Sequence, residues 1–163
     1  MSHYEFSLII PSYNFSAGIQ KTLERVLAWK NNNNLNFFLC LVDDGSSDGT
    51  LAILQKFHLE NSAWCKILEI KNNKGKGNAI REAAKLCAPM AKYTIFTDCD
   101  LYYGLHIIHE RILPSLKSGA ELVMLDRSWS KQFHSSSIIR KFLSHCFTHL
   151  KTILTAVPFE DSQ

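Results

Sequence analysis

Runs of consecutive apolar residues alternate along the chain with stretches whose apolar positions recur every three or four residues. FSLIIPS (6–12), FFLCLVDD (37–44), CKILEIKN (65–72), YTIFTDCDL (93–101) and ELVMLDR (121–127) have the length and continuity of buried strands. Helical spacing runs over 17–30 through Ile19, Leu23, Val26 and Leu27. Further helices are predicted over 48–58, 76–88, 104–117 and 136–155. The polar NNNN at 31–34 reads as a surface turn, and Ser47 or Asp48 suits the N-cap of the second helix. Apolar strands alternating with helices predict an α/β fold, a mostly parallel sheet covered on both faces.

Composition narrows the field. A chain of 163 residues has the length of one domain with a core of its own. Its 46% hydrophobic and 20% charged residues are those of an ordinary soluble globular protein. A net charge of +3 is small, and the aromatic residues do not interleave with a basic patch, so no nucleic-acid partner is expected. Cys40, Cys65, Cys87, Cys99 and Cys146 form no CxxC pair and read as reduced thiols of a cytoplasmic protein. MSHYEFSLII lacks a basic region and its apolar run meets Pro11, so it does not read as a signal peptide. No stretch of about 18 apolar residues predicts a membrane span.

The run at 93–101 ends in two acids, Asp98 and Asp100. Alternation along a strand would put both on one face. Two carboxylates so placed repel unless a cation lies between them, and their oxygens suit a hard divalent ion that shares its other positions with water or substrate phosphate. Open parallel sheets bind ligands beyond the carboxyl ends of their strands. Residues 11–14, Asp43 with Asp44, residues 72–77 and Asp98 with Asp100 all fall at such ends.

Taken singly, the motifs are weaker. LVDDGSSDGT (41–50) reads as an Asx-rich turn; as a calcium loop through Asp44, Ser46, Asp48 and Gly49 it fails at Gln55, where a bidentate Glu is needed. NNKGKGNAI (72–80) lacks GxxxxGK[ST], and its near-match to GxGxxG ends in Ile80 after the third strand. Its glycines still let backbone approach a ligand, and Lys76 is placed to meet a phosphate at a helix N-terminus. His106 with His109 and His145 with His149 share helical faces without a companion acid or Cys, which predicts partly exposed histidines and no zinc site. A receiver-like phosphoacceptor domain fits poorly, since the acids follow the second and fourth strands and Arg127, not a lysine, ends the fifth.

IIPSYN, VDDGSSDGT, NNKGKGNAI and FTDCDL, in this order and at these intervals, resemble the family 2 inverting glycosyltransferases of the GT-A fold. The branch of polyprenyl-phosphate sugar transferases, which includes dolichyl-phosphate mannose and glucose synthases, is the most similar. The resemblance implies a GT-A, Rossmann-like nucleotide-diphospho-sugar domain over 1–163. It implies transfer of a sugar, with inversion, from a UDP- or GDP-sugar to a polyprenyl phosphate or a glycan. By the same resemblance Pro11 and Tyr13, with Asn14 beside them, contact the nucleotide base and ribose, and Asp44 with Asp43 recognises the base; Lys76, placed by its helix N-terminus, is counted with this donor site. Asp98 and Asp100 would hold Mg²⁺ or Mn²⁺ against the diphosphate. Arg127 and Arg140 match basic positions that would grip an acceptor phosphate.

VPFEDSQ (157–163) resembles the start of the family's Asp-Thr-Gln-Cys-Gly-Phe element, with Asp161 and Gln163 in register. Asp161 would be the general base for an alcohol acceptor, while an ionised phosphate would need none. Relatives continue beyond this point, so the sequence reads as a domain lacking the C-terminal part of the acceptor site. A nucleotide-sugar-binding module without transfer is the alternative reading, and self-association through an exposed sheet edge or apolar patch is a further expectation. Two positions depart from the branch: Phe15 follows Asn14, and Tyr102 stands two residues past the second acid. The last predicted helix carries an apolar stripe suited to the sheet, and its Arg140, Lys141 and Lys151 would suit an anionic surface at the cytoplasmic membrane face.

Overall fold

The computed structural model describes residues 4–125. Four strands and three helices alternate: β1 (Tyr4–Ser12), α1 (Ser16–Asn33), β2 (Phe37–Asp43), α2 (Thr50–Asn61), β3 (Cys65–Glu69), α3 (Lys76–Cys87) and β4 (Ala91–Phe96). All lie within one compact unit, Met1–Arg111; a second unit begins at Ile112. The strands are parallel and lie side by side in the order β3-β2-β1-β4.

That order explains the apolar runs. β2 and β1 are central, and every residue of β2 and all of β1 from Phe6 onward are buried. The outer strands β3 and β4 mix buried and exposed positions. A strand covered on both faces must be apolar at consecutive positions.

The two faces are filled differently. On one, Ile9, Phe38, Cys40 and Val42 meet Ala79, Ala83 and Cys87, an i, i+4, i+8 stripe of small side chains on α3. Small residues there let the helix approach the sheet closely. On the other face Phe6 stacks on Phe37 with ring centroids 5.2 Å apart, and Trp29 of α1 packs against both. Trp64, preceding β3, meets Phe37 and Phe57 edge-on. Each fully buried aliphatic or aromatic side chain in these layers contributes about 1.5–3 kcal/mol.

Four sequence expectations change. β3 ends at Glu69 and β4 at Phe96, so neither reaches its predicted C-terminus. The helix predicted over 104–117 contains a π-helical turn, Ile108–Ile112, before α4 (Leu113–Lys117). Pro114 supplies the cause: it has no N–H, and its ring would strike the carbonyl four residues back, so the ladder is redrawn there. Residues 121–125 form no strand, and Leu122 and Met124 are exposed. The rest of that predicted strand, the helix over 136–155 and its histidine pair lie outside the described residues. Of the other pair, His106 is exposed and His109 lies against Trp29.

Candidate active site

The first three strands progress in one direction from β1, and the chain then crosses to the opposite side of β1 to lay down β4. The direction of winding therefore reverses between β1 and β4, which opens a crevice at their carboxyl ends. Three loops border it: residues 13–15 after β1, 44–49 after β2 and 97–104 after β4. The loop 70–75 after β3 joins them through Asp44.

The loops are tied by side chains to backbone. Ser12 and Asp43 are paired in register at the ends of β1 and β2, and the Ser12 hydroxyl donates to the Val42 carbonyl at 2.9 Å. Asp44 is buried, and its two oxygens accept the N–H groups of Lys74 and Gly75 at 3.0 and 2.8 Å. Asp43 Oδ2 accepts the Ser46 N–H at 3.0 Å, while its Oδ1 is buried without a hydrogen-bond partner among the described residues. Gly45 is required on two counts. Its φ is +77°, and a Cβ there would sit 2.7 Å from the Asn73 nitrogen.

Asn14, in the left-handed region at φ 47°, receives a hydrogen bond from Ser47 N–H at 2.8 Å on its side-chain oxygen. Its own N–H donates to the Ser46 hydroxyl at 2.9 Å. Asp48 closes two helices at once. One oxygen accepts from Ser16 N–H, the first residue of α1, and the other from Thr50 N–H, the first residue of α2. The Thr50 hydroxyl, which bonds the same carboxylate, and then the Ser16 amide hold Asp48 well below the usual carboxylate range. The carboxylate thus caps α2 from the position preceding Gly49, where sequence reasoning expected the helix to begin.

Because β4 stops at Phe96, Asp98 and Asp100 lie on a turn, and the same-face argument drawn from strand alternation does not apply to them. Leu101 N–H closes the turn on the Asp98 carbonyl at 3.0 Å. Leu101 buries its side chain at φ 52°, a conformation that is costly for a non-glycine residue. The turn is fastened to α1 by the Thr22 hydroxyl on the Cys99 carbonyl and by the Arg25 guanidinium on the Asp100 carbonyl, the latter at 3.2 Å. Asp100 is exposed, with Oδ1 accepting Tyr102 N–H at 3.1 Å. The Asp98 carboxylate is ion-paired with the Lys76 ammonium. Burial first, and then the charges of Asp100 and Asp98, push the Cys99 thiol up, so the residue between the two acids stays protonated.

A cleft of about 350 Å³ lies here, lined by Pro11, Ser12 and Tyr13 from the end of β1, Asp44 from β2, and Asn73, Gly75, Lys76 and Ala79. The structure therefore brings Pro11, Tyr13, Asp44 and Lys76 into one cavity, and the Lys76 ion pair brings Asp98 to it. Asn14 and Asp43 are absent from the lining and hold the loops behind it. Arg127, Arg140 and Asp161 lie outside the described residues. Sequence reasoning named Asp48 as a candidate cap of the second helix but missed its bond to Ser16 of α1 and the fastening roles of Thr22 and Arg25. The contacts of Thr22 and Arg25 span 77 and 75 residues and leave no local trace.

The sequence profile of Glycosyl transferase family 2 matches residues 7–141. The chain belongs to that family. Among curated glycosyltransferases, the dodecaprenyl-phosphate galacturonate synthase of Rhizobium johnstonii is 28% identical over 159 residues, covering 96% of this chain and 45% of the relative. A dolichyl-phosphate beta-glucosyltransferase of Drosophila melanogaster is 23% identical over 98% of this chain and 52% of its own length. The chain thus spans about half the length of these family members. Among solved structures, a mannosyltransferase from Pyrobaculum calidifontis in complex with GDP-Man and Mn²⁺ superposes with a TM-score of 0.50 at 19% identity, over 61% of this chain and 28% of that one. The glycosyltransferase fold is accordingly GT-A, a parallel sheet flanked by helices. No helix among the described residues is long and apolar enough to cross a membrane.

Proposed function

We propose that this domain transfers a sugar, with inversion at the anomeric carbon, from a UDP- or GDP-sugar to a polyprenyl phosphate. The observation that carries the reading is the meeting, at the reversal of winding between β1 and β4, of an aromatic-edged cleft with two acids on the adjoining turn. The relatives named for dodecaprenyl-phosphate and dolichyl-phosphate favour a lipid phosphate over a glycan hydroxyl as acceptor.

Each residue has a task in this scheme. Tyr13 is half exposed at the rim of the cleft, where its ring can cover a nucleotide base beside Pro11. Asp44 has one amide on each oxygen, which leaves a second lone pair on each for a base N–H. Lys76 supplies positive charge for the diphosphate at the N-terminus of α3.

Asp98 and Asp100 offer oxygen ligands only, the donor type that suits Mg²⁺ or Mn²⁺, and Asp98 is already paired with a positive group, the Lys76 ammonium. Among the described residues no group of three or more His, Cys, Asp or Glu side chains could hold a metal ion by itself, so an ion at Asp98 and Asp100 would need phosphate or water for its remaining positions. When bound, such an ion neutralises charge developing on the departing nucleoside diphosphate. Arg127 and Arg140 grip the acceptor phosphate in this reading, and Asp161 serves as base only for an alcohol. The domain works in the cytoplasm, at the membrane face where its acceptor lies.

The test is transfer itself. Full chain, Mn²⁺ and UDP- or GDP-sugar labelled in the sugar are mixed with polyprenyl phosphate in detergent. Label in the lipid phase, in β linkage from an α-linked donor, is the expected outcome. Label released only as free sugar, or none, contradicts the proposal.

A further inference from the structure

Two acids on one turn need a counter-charge, and here the chain provides one. Lys76 is the first residue of α3, and Asp98 lies on the turn after β4, on the other side of the crevice. Both roots are fixed. The preceding Gly75 N–H is held by Asp44 Oδ2 at 2.8 Å, and the acid's turn is fastened to α1 through Thr22 and Arg25. Between these roots the lysine stem is flexible and half exposed, with 49% of its side chain open to solvent against 29% for Asp98. Such a pair adds little to stability, so its consequence lies in what it occupies. The same lysine also lines the cleft, so an anion bound there is within reach of an ammonium that leaves Asp98.

We infer that Lys76 is a built-in stand-in for the divalent cation: it covers Asp98 while the cleft is empty and is drawn away by the nucleoside diphosphate. The inference rests on the donor-site reading above and deepens it. A bare divalent ion must displace an ammonium to reach Asp98, whereas the diphosphate removes that competitor by giving it a better partner. Metal and nucleotide therefore bind as a coupled pair, and by linkage the coupling is the same whichever binds first. An enzyme so arranged does not hold metal tightly between turnovers, and nucleotide and ion leave together.

The experiment measures the two binary affinities separately, with the full chain at low ionic strength. Free Mn²⁺ is followed by its electron paramagnetic resonance signal without nucleotide, and UDP and GDP are titrated by calorimetry without metal. Lys76→Met is expected to bind Mn²⁺ alone about fivefold more tightly than the wild type, the scale of one exposed ion pair, and to bind the nucleoside diphosphate more weakly. Lys76→Arg, which keeps the charge, should restore the wild-type pattern. Opposite shifts are the signature, because a merely structural defect weakens both. Unchanged or weaker Mn²⁺ binding by a Lys76→Met protein of unaltered circular dichroism overturns the inference. If the wild type takes up neither Mn²⁺ nor nucleotide, alone or together, the donor-site reading fails and the inference falls with it. Nucleotide-dependent Mn²⁺ uptake that the substitution leaves unaltered overturns the inference alone.

Discussion

The carboxylate of Asp48 joins the first turns of α1 and α2, and so sets where two of the site's loops leave the sheet. Its folded pKa lies below the ordinary value, while the unfolded value is about 3.9. Between those values the unfolded chain binds the proton and the folded chain does not, so this contribution is fully present above about pH 4 and is lost as pH falls toward the folded value. Asp48→Asn should therefore lower the urea midpoint at pH 7, and the gap from the wild type should close on acidification below pH 4. A gap that stays constant with pH would mean that charge plays no part. At this scale sequence reading found the cleft residues, because Pro11, Tyr13, Asp44 and Lys76 sit in motifs that each follow a strand. It misread the placement of Asp98 and Asp100, because the strand stops at Phe96, two residues before Asp98, and gives way to a turn that depends on Leu101 adopting a positive φ. Nothing in the side chain of a leucine announces that conformation.

At the level of elements, the clearest sequence signal was continuity. β1 and β2 are buried on both faces, so a continuous apolar run leaves little room for another reading. Helix starts were harder, since α2 begins only after Asp48 and Gly49 have completed the cap. The π-helical turn could have been anticipated from Pro114, but apolar spacing alone records the helix and not the break in its ladder. α3 has a different dependence, because Ala79 and Ala83 let it approach the sheet and so carry Lys76 to the crevice. Ala83→Leu should overpack this contact and cost about 1–3 kcal/mol, measured by urea denaturation, with weaker nucleoside diphosphate binding as the helix start moves. Full stability in that variant would show that the layer has room to spare.

For the molecule as a whole, the order of strands decides where the site lies, and that order is the part sequence cannot supply. Alternating strands and helices predict a parallel sheet but not which strand lies beside which. The placement of β4 against the free side of β1 turns four separate loops into one crevice. The convergence of motifs at strand ends was nevertheless visible beforehand, since every βα loop of a parallel sheet emerges on the same edge. Family membership, the GT-A fold and the cleft are what support the proposal of a nucleotide-sugar site beside Asp98 and Asp100.

The central claim is that these acids bind the donor through a divalent cation. The most direct measurement is calorimetric titration of the full chain with UDP-glucose and with GDP-mannose, with and without Mn²⁺, for the wild type and for Asp98→Asn and Asp100→Asn. Binding of one donor that Mn²⁺ strengthens, with that strengthening lost in both variants, is the predicted result. Donor binding that is indifferent to Mn²⁺ and survives both substitutions would contradict the account.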